Sequence, residues 1–424
     1  SAEGPIPDGV YPDTGNVDAG PFQKRFVILG LTDVPRLRKI GPLRFDSVVL
    51  HTQLSGGRKI LKGSFQLRNG SGKAERVPVS CEVFERGKKV LEVFRGTLLC
   101  DASGNAVQSF ETEFPNVKLW DFRSPNLYEF RLTASGGTCP PVQKRVRFGF
   151  REWKTEGRDF YLNGRKVSLF GDSASTLNSW SPYAFIWPVR QTNCRIARGG
   201  KLDRPWTGHE LSLCDEIGMA TTLEMDVSPY GRANAFRMGN PLLYRNLSEK
   251  WTHVIPMYGN HPSVFANVLG NEPPTVNPVW CRRMADLEQF VRTLDPMRFA
   301  FFSRGNDLGG LSPLYVPHYL YHIHIFPTDL NLFDSKAAEE RLKRQHLHKD
   351  SYETIHLRRD NSKPVFDSEG ASVTDGRTFA WKFGESILVR YPVDRWESTG
   401  YRLSMEAMRA YLYECYRKND LSVL

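Results

Sequence analysis

No run of about 18 apolar residues occurs anywhere in the 424 residues, which excludes a transmembrane helix. The start, Ser1-Ala2-Glu3-Gly4-Pro5, lacks the basic-then-apolar order of a secretory leader. A leader already removed would leave the same start, and the location stays open, with a secreted or periplasmic one slightly favoured over a cytoplasmic one. Cysteine is sparse, and none of the seven residues falls in a C-x-x-C spacing, which argues against a zinc site or a disulfide scaffold. Cys81 and Cys100 either meet across adjacent strands or stay as two unbridged core cysteines. A basic stripe is also missing. The formal charge is +10, but the cations are dispersed, as in Arg282-Arg283 and Arg358-Arg359, and no nucleic-acid partner is expected. No Gly-x-Gly-x-x-Gly follows the first strand of the second half, so a dinucleotide cofactor is not expected. No nucleophile elbow surrounds Ser173 or Ser175. His318, His322 and His324 have no carboxylate at ligand spacing, and neither a metal nor any other cofactor is expected.

What is present falls into three stretches. Residues 1–40 open rich in Pro, Gly and Asp and read as a linker. Over 41–150 short alternating runs such as Val77 to Phe84 and Leu127 to Thr133 are split by Gly/Asn/Ser turns. That pattern predicts an immunoglobulin-like β-sandwich of roughly 100 residues. Over 151–424 apolar strands alternate with amphipathic helices. The strands are Val167 to Phe170, Cys194 to Ala197, Ala220 to Glu224, Val264 to Leu269, Arg298 to Phe302, Leu320 to Ile325 and Pro364 to Asp367. The helices include Thr207 to Ile217, Val279 to Leu294, Ser335 to Lys349 and Arg402 to Lys418. This succession predicts a parallel sheet closed as a (β/α)8 barrel, with an open doubly wound sheet as the alternative.

Two strands end in a glutamate. The buried run Val264 to Leu269 stops at Gly270-Asn271-Glu272, and Pro364 to Asp367 runs into Ser368-Glu369-Gly370. A carboxylate at the end of a buried strand is costly unless something pairs with it or uses its proton. In a barrel every strand C-terminus opens on one face. That face would collect Asp172, Arg195, Arg198, Glu224, Asp226, Asn271, Glu272, Arg304, Asn306, His322, His324 and Glu369. Two carboxylates there suit hydrolysis of a glycosidic bond: about 5–5.5 Å between them means retention, about 6.5–9.5 Å inversion. Arg195 is placed to favour an ionised nucleophile, and Glu224 either binds sugar hydroxyls or pairs with Arg198. The partner implied is a glycoside; no membrane partner is expected, and oligomeric state is open.

Several motifs carry a resemblance. Leu119-Trp120 with Ser124-Pro125-Asn126-Leu127-Tyr128, Phe148-Gly149-Phe150-Arg151, Phe160 to Arg165, Asn193-Cys194-Arg195, Leu213 to Gly218 and His261-Pro262-Ser263 through Gly270-Asn271-Glu272 occur in this order. From about Gly30 onward the chain resembles glycoside hydrolase family 2, which includes β-galactosidases, β-glucuronidases and β-mannosidases. The resemblance implies a retaining β-glycosidase without cofactor, with Glu272 as acid/base and Glu369 as nucleophile. It further implies Asn271 on the sugar 2-hydroxyl and Arg195 as support for Glu369. His322, His324, Asp172 and Glu224 are expected as further substrate contacts. Two departures follow. Only Phe26 to Arg44 would remain of the family's N-terminal jelly-roll domain, and the barrel is expected to lack its eighth strand after Lys418. That second departure gives the alternative: an inactive carbohydrate-binding or scaffold relative with an incomplete barrel.

Overall fold

Alternation of apolar and polar side chains builds the first half. The computed structural model describes residues 41–101, 104–136, 139–172, 186, 190, 194–202, 207–225, 227, 239–273, 275, 277–317, 362–366, 368 and 422–423. Strands β1 (Leu43–Ser55), β2 (Arg58–Asn69) and β5 (Asn105–Glu113) form one antiparallel sheet in the order β1-β2-β5. β3 (Glu75–Glu85), β4 (Lys88–Cys100), β6 (Tyr128–Gly136) and β7 (Cys139–Phe148) form a second, ordered β4-β3-β6-β7. Side chains from both sheets, among them Leu61, Phe65, Val83, Phe130 and Leu132, are buried between them. The β3–β4 hairpin turns at Arg86-Gly87, both with positive φ (49° and 82°), the backbone that fits the right-handed twist of the flanking strands.

Cys81 and Cys100 are free and buried. Cys81 lies opposite Phe94 and Cys100 opposite Glu75, so the register keeps the two thiols apart. Burial, with Glu82 adding to it, pushes the Cys81 thiol up to about 12. Leu43 and Arg44, expected as the end of a jelly-roll remnant, are instead the first residues of β1.

The hairpins β8 (Trp153–Glu156), β9 (Asp159–Leu162) and β10 (Arg165–Val167) form a small sheet that leads into the second half. There the strands run parallel: β11 (Leu169–Asp172), β12 (Ile196–Ala197), β13 (Ala220–Glu224), β14 (Val264–Asn271), β15 (Phe299–Ser303) and β16 (Ser422–Val423), in the order β15-β14-β13-β12-β11-β16. β13 is buried throughout and β14 up to its last residue. This is why they show no apolar–polar alternation, and why their polar members Thr221, Thr222 and Asn267 are buried with the rest. Helices α1 (Thr207–Ile217), α2 (Pro241–Tyr258) and α3 (Pro278–Leu294) lie between successive strands. Trp251 and Leu247 of α2 and Met284, Leu287 and Val291 of α3 share one core with Leu223, Leu269 and Phe302.

Two more segments pair in parallel with each other: Tyr315 bridges Val365, and Phe366 N–H donates to Tyr315 O at 2.9 Å. The place beside β11, where a barrel's last strand meets its first, is held by Ser422–Val423, opposite Leu169 and Phe170. That qualifies the expected lack of an eighth strand. Two residues are too few to carry any apolar period. The strand expected at Leu320 to Ile325 and the helices expected at Ser335 to Lys349 and Arg402 to Lys418 lie outside the described residues.

The sandwich docks on the end of the barrel where the strands begin. Arg151, fully buried, donates to Pro262 O (3.0 Å), Val264 O (3.0 Å) and Met297 O (3.2 Å). Burial and the neighbouring Arg298 charge work against its cation, and those carbonyls offset the cost. Trp153 and Phe160 pack edge-on against Phe265 at 5.1 and 5.6 Å between ring centres. The C-terminal ends of the parallel strands lie at the barrel's opposite end.

Candidate active site

Polar residues gather where β12, β13, β14 and β15 end. Arg198 follows β12 and reaches across the mouth. Its Nε and Nη2 donate to the two oxygens of Glu224 at 3.0 and 2.9 Å, Nη2 also donates to Asn271 Oδ1 at 2.7 Å, and Nη1 to Ser368 O at 3.4 Å. The chain turns sharply after it because Gly200 has φ +60° and sits against the backbone of Thr222. Gly200 N–H donates to Glu210 Oε1 at 3.0 Å.

Glu224, the last residue of β13, is buried. Burial alone would raise its carboxyl. The Arg198 guanidinium and Lys201, whose Nζ lies 3.5 Å away, outweigh that effect and hold it at about 2. Of the two roles open to Glu224, the structure shows the ion pair with Arg198. Its use of both carboxylate oxygens makes it a bidentate pair, the strongest form of such contacts.

Asn271 ends β14, its N–H donating to Val227 O at 2.7 Å. With Oδ1 held by Arg198, the amide nitrogen is the end able to meet a substrate oxygen. Glu272 comes next with φ +54°, a left-handed backbone that costs a non-glycine residue energy and marks functional positions more often than chance. Its N–H donates to Ser303 O at 2.8 Å, and its Oε1 lies 3.1 Å from Arg304 Nη1. Ser303 Oγ in turn donates to Ser368 Oγ at 2.9 Å, while Ser368 N–H donates to Pro317 O at 3.0 Å. The ends of four strand segments are thereby tied together.

The structure thus brings Glu224, Asn271 and Glu272 to one mouth. Asp172 ends β11 with its backbone paired to Ala197; its side chain, like Glu369, His322 and His324, lies outside the described residues. Arg195 is elsewhere. It precedes β12, donates from Nη1 to Ser168 O at 3.4 Å and lies over the Phe122 ring at 5.8 Å, both at the entry end of the strands. Arg195, expected as support for Glu369, therefore stands away from the mouth, and the arginine that reaches it is Arg198. On a parallel strand only residues at the C-terminal end reach the mouth, and Arg195 lies on the wrong side of Ile196–Ala197. Lys201, Ser303 and Ser368 were not singled out from sequence; their position immediately after or at the end of a buried run was the available signal.

The motifs Leu213 to Gly218 and His261-Pro262-Ser263 meet at the opposite end. Buried Asp215 accepts from Ser263 Oγ (2.6 Å) and Ser263 N–H (3.1 Å) and pairs with His261 Nδ1 (2.6 Å). Ser, His and Asp are the residue types of a hydrolytic triad, but here serine and histidine both bond to the carboxylate rather than to each other. The set is a brace on the entry of β14. Trp120 Nε1 donates to Asp215 O at 2.8 Å, which ties the sandwich to the same point.

Comparison with known proteins agrees with this layout. Residues 43–151 match the family described as Glycosyl hydrolases family 2, and residues 204–373 match the TIM barrel domain of that family. A Formosa agariphila protein carrying a provisional β-glucuronidase name is 31% identical over 170 residues, covering 37% of this chain and 19% of its own. A β-galactosidase of Thermoanaerobacterium thermosulfurigenes is 28% identical over 167 residues, covering 37% of this chain and 22% of its own. The crystal structure of Parabacteroides merdae β-glucuronidase superposes with a TM-score of 0.58 at 20% identity, over 78% of this chain and 40% of that one. The chain spans about a fifth of the length of these curated relatives.

Proposed function

The chain belongs to glycoside hydrolase family 2, and from that premise we propose that it hydrolyses terminal β-linked sugars with retention. Glu272 is the acid/base and Glu369 the nucleophile. In the first step the Glu369 carboxylate attacks the anomeric carbon while Glu272 gives its proton to the glycosidic oxygen; the C–O bond breaks and a glycosyl ester forms. In the second, the Glu272 carboxylate takes a proton from water, the water oxygen attacks the anomeric carbon, and Glu369 leaves as carboxylate. Asn271 offers its amide N–H to the sugar 2-hydroxyl. Asp172, His322 and His324 are proposed as further contacts to the sugar.

One observation carries this reading: Arg198 joins Asn271, the neighbour of Glu272, to Ser368, the neighbour of Glu369, through contacts of 2.7 and 3.4 Å. Residues nearly a hundred positions apart thus have their immediate neighbours on one guanidinium. β-Glucuronides and β-galactosides are the first substrates to try, because the relatives carry those names. A panel of aryl β-glycosides tests the proposal, together with Glu272→Ala and Glu369→Ala variants supplied with azide. The expected outcome is turnover by the parent chain, an α-azide product from the nucleophile variant and a β-azide from the acid/base variant. No release from any glycoside, with sugar-dependent thermal stabilisation kept, would instead identify a carbohydrate-binding relative.

A further inference from the structure

We propose that Arg304 is the positioning residue for Glu272, a clamp that holds the carboxyl group where a leaving oxygen can take its proton; this rests on Glu272 being the acid/base. Two consecutive residues grip Glu272 at two points. Ser303 O accepts from its backbone N–H at 2.8 Å, and Arg304 Nη1 lies 3.1 Å from its Oε1. Both partners are in the left-handed region, Glu272 at φ +54° and Arg304 at φ +60°. Such conformations persist in non-glycine residues only where the surroundings over-determine them. The side chains are 15% and 20% exposed, so the pair borders the mouth rather than lying on the open surface.

The clamp is itself anchored. Gly305 N–H donates to Phe302 O at 2.9 Å, and Asn306 exchanges two backbone hydrogen bonds of 3.0 Å with Val316. The turn that carries Arg304 is therefore closed on the end of its own strand, β15, and tied to the neighbouring segment at Val316. A guanidinium does not release a proton near neutral pH, so Arg304 is no substitute acid. Its planar fork sets direction as well as charge, which a lysine ammonium does not reproduce.

The test uses the full chain with Arg304→Ala and Arg304→Lys, read by crystal structure and by kcat/KM across aryl glycosides of graded leaving-group strength. In Arg304→Ala the Glu272 carboxylate is expected to move by about 1 Å or more. For poor leaving groups kcat/KM should fall roughly 100-fold. A 2,4-dinitrophenyl glycoside, which needs no proton to depart, should lose little. Arg304→Lys should fall between the parent and Arg304→Ala. A merely structural role would lower all substrates alike. A carboxylate that stays in place in Arg304→Ala, or a loss independent of the leaving group, overturns the proposal. If Glu272→Ala itself shows no leaving-group dependence, or the parent chain cleaves nothing, the acid assignment of Glu272 fails and takes the catalytic half of the proposal with it. The crystal structures still decide whether Arg304 holds the side chain.

Discussion

Arg198 meets an ionised carboxylate, an amide oxygen and a main-chain carbonyl at the same time. The five N–H donors of a guanidinium, fixed in one plane, make this possible. Glu224 balances its charge inside the protein, where an unpaired cation would be costly. Removing one partner of such a buried pair is expected to cost about 3–5 kcal/mol, whereas replacing both by apolar residues is far milder. Arg198→Met should therefore lower the unfolding free energy in urea by that amount. The double variant Arg198→Met/Glu224→Leu should recover a large part of it. Equal losses in the single and double variants would show that the pair does not carry the stability assigned to it. From sequence the support for Glu369 is expected of Arg195, three positions before the arginine that reaches the mouth. A difference of one strand end decides which of the two reaches the mouth, and strand boundaries are the part that apolar patterning resolves least well.

β14 was legible because a strand buried on both faces is built mostly of apolar side chains, and Val264 to Leu269 supply five of six; the exception, Asn267, is buried and donates to Asp295 Oδ2 at 3.2 Å. β16 was not, since two residues have no period. α3 carries a feature that composition hides: Glu288 faces the core, 3% exposed, rather than solvent. Burial raises its carboxyl to about 8, with the Ser312 hydroxyl, the Phe302 backbone and Arg292 opposing the shift. In the unfolded chain the group titrates near the ordinary carboxylate value. Between about pH 4.5 and 8 the folded protein then holds a proton that the unfolded chain has lost. Its contribution to stability is present in full below that window and is lost as pH rises through it, by a few kcal/mol at most. Thermal unfolding of Glu288→Gln should show a smaller fall in Tm between pH 5 and 8 than the parent. An unchanged slope would mean that Glu288 is ionised in the folded state.

At the scale of the whole molecule, two halves of different grammar meet at the entry end of the barrel. Arg151, Trp120 and Asp215 form that seam. The motifs around them carried the family resemblance without belonging to any active site, which explains why their order was readable while the roles of Asp215 and Ser263 were not. A side chain that braces two domains and one that handles substrate leave the same mark in a single sequence; only their positions at opposite ends of the strands separate them. With the sandwich on one end, the other end holds Glu224, Asn271 and Glu272 together with Arg198 and Ser368. The central claim is that Glu369 joins them there. A crystal structure of the chain with an iminosugar bound tests it directly through the distance between the carboxyl groups of Glu272 and Glu369. The prediction is about 5–5.5 Å with the sugar ring between them. A separation well beyond about 9.5 Å, or carboxyl groups turned away from each other, would contradict it.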